Sequence, residues 1–343
     1  KVVVDLHIVH AHDFNAGAEG RTNSLWDSEA DQEHLCRLWE ELSDELHKYS
    51  NDDVAYEIMN EPVAPDHEAW NRLVAKVYDV IRSREKRRPI VVGSNMWQQT
   101  ATFEHLRVPE GDDNIILSFH FYEPYFFTHY KAGWTEHKDF GGTVHYPGEI
   151  VTAEELAAMT GRDRQLAEGW VTVWDRQRLK DNVMKAKKKA DELGLVLYCG
   201  EFGVYSRVPE ADALRWLGDL TGVLDELGIS WALWNYKDGG GFGLRNIRTG
   251  EWKDTLCRRS YAPLRHYDMS ASDAHIYRYV LSADNITACA GSVSGPALLF
   301  PSVLNGHVRA AGIESVKRVF MSVKKVSGRW NNKNKFAAYN KTD

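Results

Sequence analysis

The sequence predicts an α/β fold in which a parallel sheet is covered by helices. Short apolar, β-branched runs alternate with stripes of apolar residues at helical spacing, the pattern of repeated strand–helix units. The runs are apolar throughout rather than alternating, as strands buried on both faces are. A doubly wound open sheet and a (β/α)8 TIM-type barrel both satisfy these two observations. A third weakens the nucleotide-binding open sheet: no GxGxxG follows an early strand, and Gly239-Gly240-Gly241 comes only after a late one.

Val2 to Ile8 is the first buried strand. Asp27 or Ser28 caps a helix with Leu35, Leu38, Trp39, Leu42 and Leu46 on one face. Val54 to Ile58 is the second strand, and Asp66 caps the helix of Trp70, Leu73, Val74, Val77 and Ile81. Ile90 to Val92 and Ile115 to Phe121 are the third and fourth strands. A long insertion rich in Gly, Tyr and His, from Glu123 to Trp174, is expected to wall one side of a cleft. Leu179, Val183, Ala186, Ala190 and Leu193 mark a helix that ends at Gly194, and Leu195 to Tyr198 is the fifth strand. The run Lys185 to Lys189 on that helix reads as a solvated face. Pro209 opens a helix carrying Leu217, Leu220, Leu224 and Leu227, ended by Gly228, and Ile229 to Trp234 is the sixth strand.

The character then changes. Residues 268–343 carry ten Lys/Arg against five Asp/Glu, a net +5, whereas residues 1–267 carry −12. The chain is therefore read as a catalytic domain, 1–267, and a basic tail, 268–343. Ala297 to Leu304 and Val316 to Val323 are candidate strands in that tail, and 326–343 is expected to be disordered.

Composition excludes several classes. The net charge of −7 gives no electrostatic case for nucleic acid or an anionic membrane. No apolar run approaches the roughly 18 residues of a membrane span. Cys36, Cys199, Cys257 and Cys289 lie far apart with no CxxC, against a cysteine-rich zinc site or a dense disulfide framework. Twelve Trp and fifteen Tyr suit stacking on sugar rings, although large aromatics also fill cores. A monomer without cofactor is expected.

Polar residues recur where strands run into loops: Asp5-Leu6-His7, Asn60-Glu61-Pro62, His120-Phe121-Tyr122, Gly200-Glu201-Phe202-Gly203 and Trp234. Barrel enzymes draw functional residues from the C-terminal ends of several strands. Two carboxyls at such ends suit glycoside hydrolysis with retention, in which one acts as nucleophile and the other as acid/base. The nucleophile must stay ionised, and its charge raises the pKa of the acid beside it. Glu61 and Glu201 are the candidates.

The run Tyr56-Glu57-Ile58-Met59-Asn60-Glu61-Pro62, followed by His120-Phe121-Tyr122, Gly200-Glu201-Phe202-Gly203 and Trp234, resembles glycoside hydrolase family 5 over about residues 1–265. This is a cellulase-type family of retaining (β/α)8 enzymes. The resemblance implies Glu61 as acid/base on the fourth barrel strand and Glu201 as nucleophile on the seventh. It implies Asn60 on the substrate 2-hydroxyl, Tyr122 hydrogen-bonded to the nucleophile, and His7 and His120 shaping the reacting subsite. Trp234 would stack under the sugar, and Lys237 and Asp238 would reach a neighbouring one. Asn95 and Trp97 would line the leaving-group side.

Two departures are evident. The first strand here matches the family's third, so two strands and an Arg that supports the nucleophile are expected upstream, and the chain reads as a fragment that opens inside a strand. The alternative is a permuted barrel, in which the tail supplies two strands and Arg318 stands near the Arg position. The tail itself matches no appended carbohydrate-binding module.

The expected activity is a metal-free endo-β-1,4-glucanase. β-Mannanase, xyloglucanase, mixed-linkage glucanase and exo-β-glucanase stay open, and a polymeric substrate implies an extracellular or periplasmic setting. Two rivals are carried. His7, His10, His12 and Asp13 cluster after a strand, and His10-Ala11-His12 resembles the first ligand pair of the metal-dependent amidohydrolase barrels. A catalytically incomplete remnant that binds glycans through Trp97, Tyr125, Trp134 and Trp234 is the other.

Overall fold

The computed structural model describes residues 2–9, 11–15, 23–235 and 241–242, together with the backbone of Tyr279–Leu281 and Phe320–Lys325. The chain divides into two compact units, the first running through Gln98 and taking in His105–Glu110 and the tail strand residues Tyr279–Leu281 and 320–324, the second taking in Gln99–Glu104 and the described residues from Gly111 to Phe242.

In the first unit, strands β1 (Val2–Ile8), β2 (Val54–Glu57) and β3 (Ile90–Gly93) lie side by side and parallel. Helix α1 (Glu29–Leu46) joins β1 to β2, and α2 (His67–Arg84) joins β2 to β3. Both helices start where side chains satisfy the free N–H groups of their first turns. The Ser28 hydroxyl accepts from Asp31 N–H, and the Asp66 carboxylate from Ala69 N–H at 2.7 Å. Their apolar stripes are buried: Leu35, Leu38, Trp39 and Leu46 on α1, and Trp70, Leu73, Val74, Val77 and Ile81 on α2. Each such side chain contributes roughly 1.5–3 kcal/mol. Two indoles also fix the helices to strand ends, since Trp39 donates to Ile58 C=O (3.0 Å) and Trp70 to Gly93 C=O (2.8 Å). Arg88 is buried without costing stability because its guanidinium is satisfied on all sides. It donates to Glu85 and to the carbonyls of Leu46, Tyr49, Ser50 and Val54, tying the end of α1 to the start of β2.

In the second unit, β4 (Ile115–Phe121), β7 (Val196–Phe202) and β8 (Ser230–Trp231) form a parallel set with β7 in the middle. The insertion expected from Glu123 to Trp174 lies between β4 and the helix before β7. It holds α3 (Tyr125–Thr128), a two-stranded antiparallel ribbon of β5 (Gly148–Glu149) with β6 (Val173–Trp174), α4 (Ala153–Ala158) and α5 (Gly161–Ala167). Its core is Phe126, Phe127, Phe140, Val144 and Ile150. Helix α6 (Arg176–Leu193) then runs to Gly194, which takes the left-handed conformation, φ 68°, that ends the helix. Helix α7 (Glu210–Glu226) follows Pro209. Arg215 and Asp219 of α7 hold Tyr146, which anchors the insertion on that helix.

In the tail, β9 (Tyr279–Leu281) and β10 (Phe320–Lys325) pair antiparallel, with β10 next to β1 in the sheet order. A permuted barrel requires parallel strands, and these two oppose each other. The second candidate tail strand overlaps β10, whereas Ala297–Leu304, Arg318 and the segment 326–343 lie outside the described residues. Cys36 and Cys199 are buried free thiols, and Cys257 and Cys289 fall outside the description. No helix among the described residues is long and apolar enough to cross a membrane.

Candidate active site

Each unit gathers polar side chains at the C-terminal ends of its strands. In the first, Asp5 and His7 lie two residues apart on β1 and so share a face. Both are buried, and His7 Nδ1 is 3.1 Å from Asp5 Oδ2. Asp5 pairs in register with Glu57 at the end of β2, another buried carboxylate. Asn60 follows, fully buried, its backbone N–H bonded to Leu6 C=O; both polar atoms of its side-chain amide lack a protein partner. A buried amide with no partner is destabilising unless a ligand fills the role.

Glu61 comes next with φ at 44°, a left-handed backbone that is uncommon for any residue but glycine. The loop it opens is held from two sides. Gln98 Oε1 accepts from Glu61 N–H (2.9 Å), and Trp97 N–H donates to Pro62 C=O (3.2 Å). His12 Nε2 accepts from Val63 N–H (3.1 Å), and the Asn95 amide bonds both Ala64 N–H and Ala64 C=O. Asn95 is therefore a buried clamp on this loop. Trp97 is 36% exposed, and its indole donates to Phe14 C=O.

In the second unit, His120 on β4 stands in register with Glu201 on β7, just past an irregularity between Phe119 and His120. Both are buried, with His120 Nδ1 3.8 Å from Glu201 Oε2. The Tyr122 hydroxyl donates to the same carboxylate oxygen at 3.1 Å, which favours its ionised form. Gly200 makes the room, because a Cβ there would lie 2.6 Å from Ser118 Oγ and 3.3 Å from His120 Nε2. Trp234 is half-buried beyond β8, its N–H bonded to Phe202 C=O and its peptide bond to Asn235 cis.

Lys237, Asp238 and His10 lie outside the described residues. The metal reading needed His12 as a ligand, and it does not fit. Nε2 is occupied by the Val63 N–H, so the ring proton sits on Nδ1 and neither nitrogen offers a lone pair. Burial also holds this imidazole down at about 4, the neutral form.

The model of the cellulase family, glycosyl hydrolase family 5, matches residues 1–240 of the chain. The chain belongs to that family. It is a glycoside hydrolase, and its fold is of the (β/α)8-barrel type. Among the relatives, Endoglucanase C of Acetivibrio thermocellus is 30% identical over 239 residues, 69% of this chain and 68% of that protein. Cellodextrinase A of Ruminococcus flavefaciens is 28% identical, over 67% of this chain and 61% of that one. The crystal structure of endoglucanase Cel5A from Thermotoga maritima superposes with a TM-score of 0.55 and 24% identity, over 73% of this chain and 70% of that one.

Sequence reasoning in this family member missed Gln98 and gave no role to Glu57. The signal for Glu57 was available: a carboxylate in the otherwise apolar run Val54 to Ile58 is rarely buried without a task.

Proposed function

We propose that the chain is a retaining endo-β-1,4-glucanase in which Glu201 is the nucleophile and Glu61 the acid/base. The observation that carries this is the buried Glu201 carboxylate, which accepts the Tyr122 hydroxyl bond and has His120 in register beside it. A nucleophile must be ionised and aimed, and both neighbours serve that end.

In the first step Glu201 attacks the anomeric carbon while Glu61 protonates the departing glycosidic oxygen, leaving a glycosyl ester on Glu201. In the second, Glu61 takes a proton from water, which breaks that ester with net retention. The geometry this requires is a carboxyl separation of about 5–5.5 Å. The unpartnered Asn60 amide is the group for the sugar 2-hydroxyl, a contact that tightens in the transition state. Trp234 offers a stacking face, and His7, oriented by Asp5, borders the same sugar. Trp97 lines the leaving-group side, and Lys237 and Asp238 reach a neighbouring sugar.

Endo action on β-1,4-glucan is supported by the relative named Endoglucanase C. A polymeric substrate also implies an extracellular or periplasmic setting. The test is sugar release from carboxymethylcellulose, mannan, xyloglucan and mixed-linkage glucan by the parent and by Glu201→Gln. The parent releases most from a β-1,4-glucan, with chelator present or absent, and the variant loses at least about 10³-fold. A variant that keeps parental activity sinks the nucleophile. A folded but inactive parent that still binds glycans makes the chain a binding remnant.

A further inference from the structure

Gln98 has no role in the chemistry above. It is fully buried and closes a run of three left-handed residues, Met96 (φ 60°), Trp97 (φ 59°) and Gln98 (φ 54°). Three consecutive residues in that region persist only where the surroundings hold them. What they achieve is to aim one amide. Gln98 Oε1 accepts from the backbone N–H of Glu61 at 2.9 Å, and Gln98 Nε2 donates to Glu57 Oε1 at 3.1 Å. The orientation is dictated at both ends, because a backbone N–H only donates and a carboxylate only accepts. The space is kept open by Gly93 at the end of β3, where a Cβ would fall 2.3 Å from Gln98 Nε2.

Gln98 thus links two positions of one segment. Glu57 ends β2, and Glu61 opens the loop beyond it with its own left-handed φ of 44°. The direction of the Cα–Cβ bond follows from the backbone, so fixing the Glu61 N–H fixes the point and direction from which its side chain reaches into the site. The neighbouring tethers on Pro62, Val63 and Ala64 hold the loop, and the Gln98 bond reaches Glu61 itself.

We infer that Gln98 is a positioning residue for the acid/base: its amide bridges Glu57 to the backbone of Glu61 and holds the carboxyl at the angle from which it protonates the leaving group. This rests on the reading of Glu61 as acid/base, and the experiment separates the two. A displaced acid slows only those substrates whose leaving group needs a proton. The probes are cellotetraose, which needs one, and 2,4-dinitrophenyl β-cellobioside, whose phenolate leaves without one. Gln98→Met keeps the volume and removes both bonds.

In Gln98→Met we expect kcat/KM for cellotetraose to fall about 10- to 100-fold, the scale of a small misplacement of a catalytic group. For the dinitrophenyl glycoside it stays within about threefold. An equal fall on both substrates, or no fall on either, overturns the inference. Glu61→Gln is the control: if it shows no such split, the acid/base assignment itself fails, whereas a split there without one in Gln98→Met sinks only the role of Gln98. Should Gln98→Met fail to fold, Gln98→Glu decides. Its carboxyl, once protonated, accepts from Glu61 and donates to Glu57 as the amide does. Its cellotetraose rate relative to the parent therefore recovers as pH falls, and a ratio that does not change with pH overturns the inference.

Discussion

Glu201 shows how little space a buried carboxylate is left. Tyr122 and His120 reach it from the next strand, and they do so across Gly200, over which the His120 ring lies. Gly200→Ala introduces a methyl group that must displace Ser118 or His120. Overpacking of this kind costs about 1–3 kcal/mol. A denaturant midpoint lowered by that amount is expected, with kcat/KM on a soluble β-glucan down by about tenfold or more as His120 moves. Unchanged activity at reduced stability would show that the position of His120 is immaterial to the role proposed for Glu201. Glu61, Glu201, Asn60, Tyr122, His7 and His120 are proposed as site residues from their places at strand ends, because strand ends are where side chains of one face converge on a common opening. Gln98 was not legible in this way. It lies in a loop without periodicity, and its partners are a backbone N–H and a side chain 41 positions away. The bonds from Asn95 to Ala64 were unread for the same reason, since a side chain that bonds the backbone of a distant loop leaves no trace in local sequence.

At the scale of elements, the alternation of strand and helix was readable because burial imposes it. The first and fourth strands begin and end as expected, and Ser28, Asp66 and Gly194 stand at the helix boundaries they were assigned. The fifth strand runs further than its apolar core suggested, to Phe202, since the polar Glu201 stays in the ladder. The sixth is shorter, Ser230–Trp231, leaving Trp234 beyond it. The insertion resisted reading because it is built on aromatic packing rather than on periodicity. His129 lies at its centre, stacked on Tyr125 at 4.1 Å and meeting Tyr122 and Phe242 edge-on at 5.1 Å. Trp134 stands on the outside of this cluster, 57% exposed, with its ring steadied by Tyr205 and Phe242. Trp134 shares His129 and Phe242 as ring neighbours with Tyr122, and under the function proposed above such an exposed face would stack on a sugar beyond the reacting one. Trp134→Ala is expected to raise KM for long β-glucans about tenfold, near 1.4 kcal/mol, and to leave the dinitrophenyl cellobioside unchanged. Because the residue is exposed, the thermal midpoint should hold; a KM rise shared by both substrates would instead mean that the cluster, and not a sugar contact, had been damaged.

For the whole molecule, histidine burial sets how the fold answers acid. Burial holds His12 at about 4 and His129 at about 3, and lowers His137 as well. Each is kept neutral in the folded state, whereas in the unfolded chain each takes a proton near 6.5. The unfolded state therefore binds more protons below that pH, and stability falls as pH drops from about 6.5 toward 4. For His12 alone the full effect is on the order of 3 kcal/mol. Exposed Glu226, held at about 2 by Lys180 and Arg176, acts in the same direction but only below its ordinary range of 4.5. Glu123 opposes them, because burial raises its carboxyl and the fold takes up that proton first. The histidines act at the higher pH, so the thermal midpoint should begin to drop just below pH 6.5, before carboxylates titrate. His12→Gln places an amide oxygen where Nε2 accepts the Val63 N–H and removes one titrating group. Its midpoint at pH 7 should stay near the parent's, while its fall between pH 6.5 and 4.5 should be shallower. A variant with the parent's full slope would mean that His12 is protonated within the fold, and that the Val63 bond breaks at acid pH without unfolding the chain.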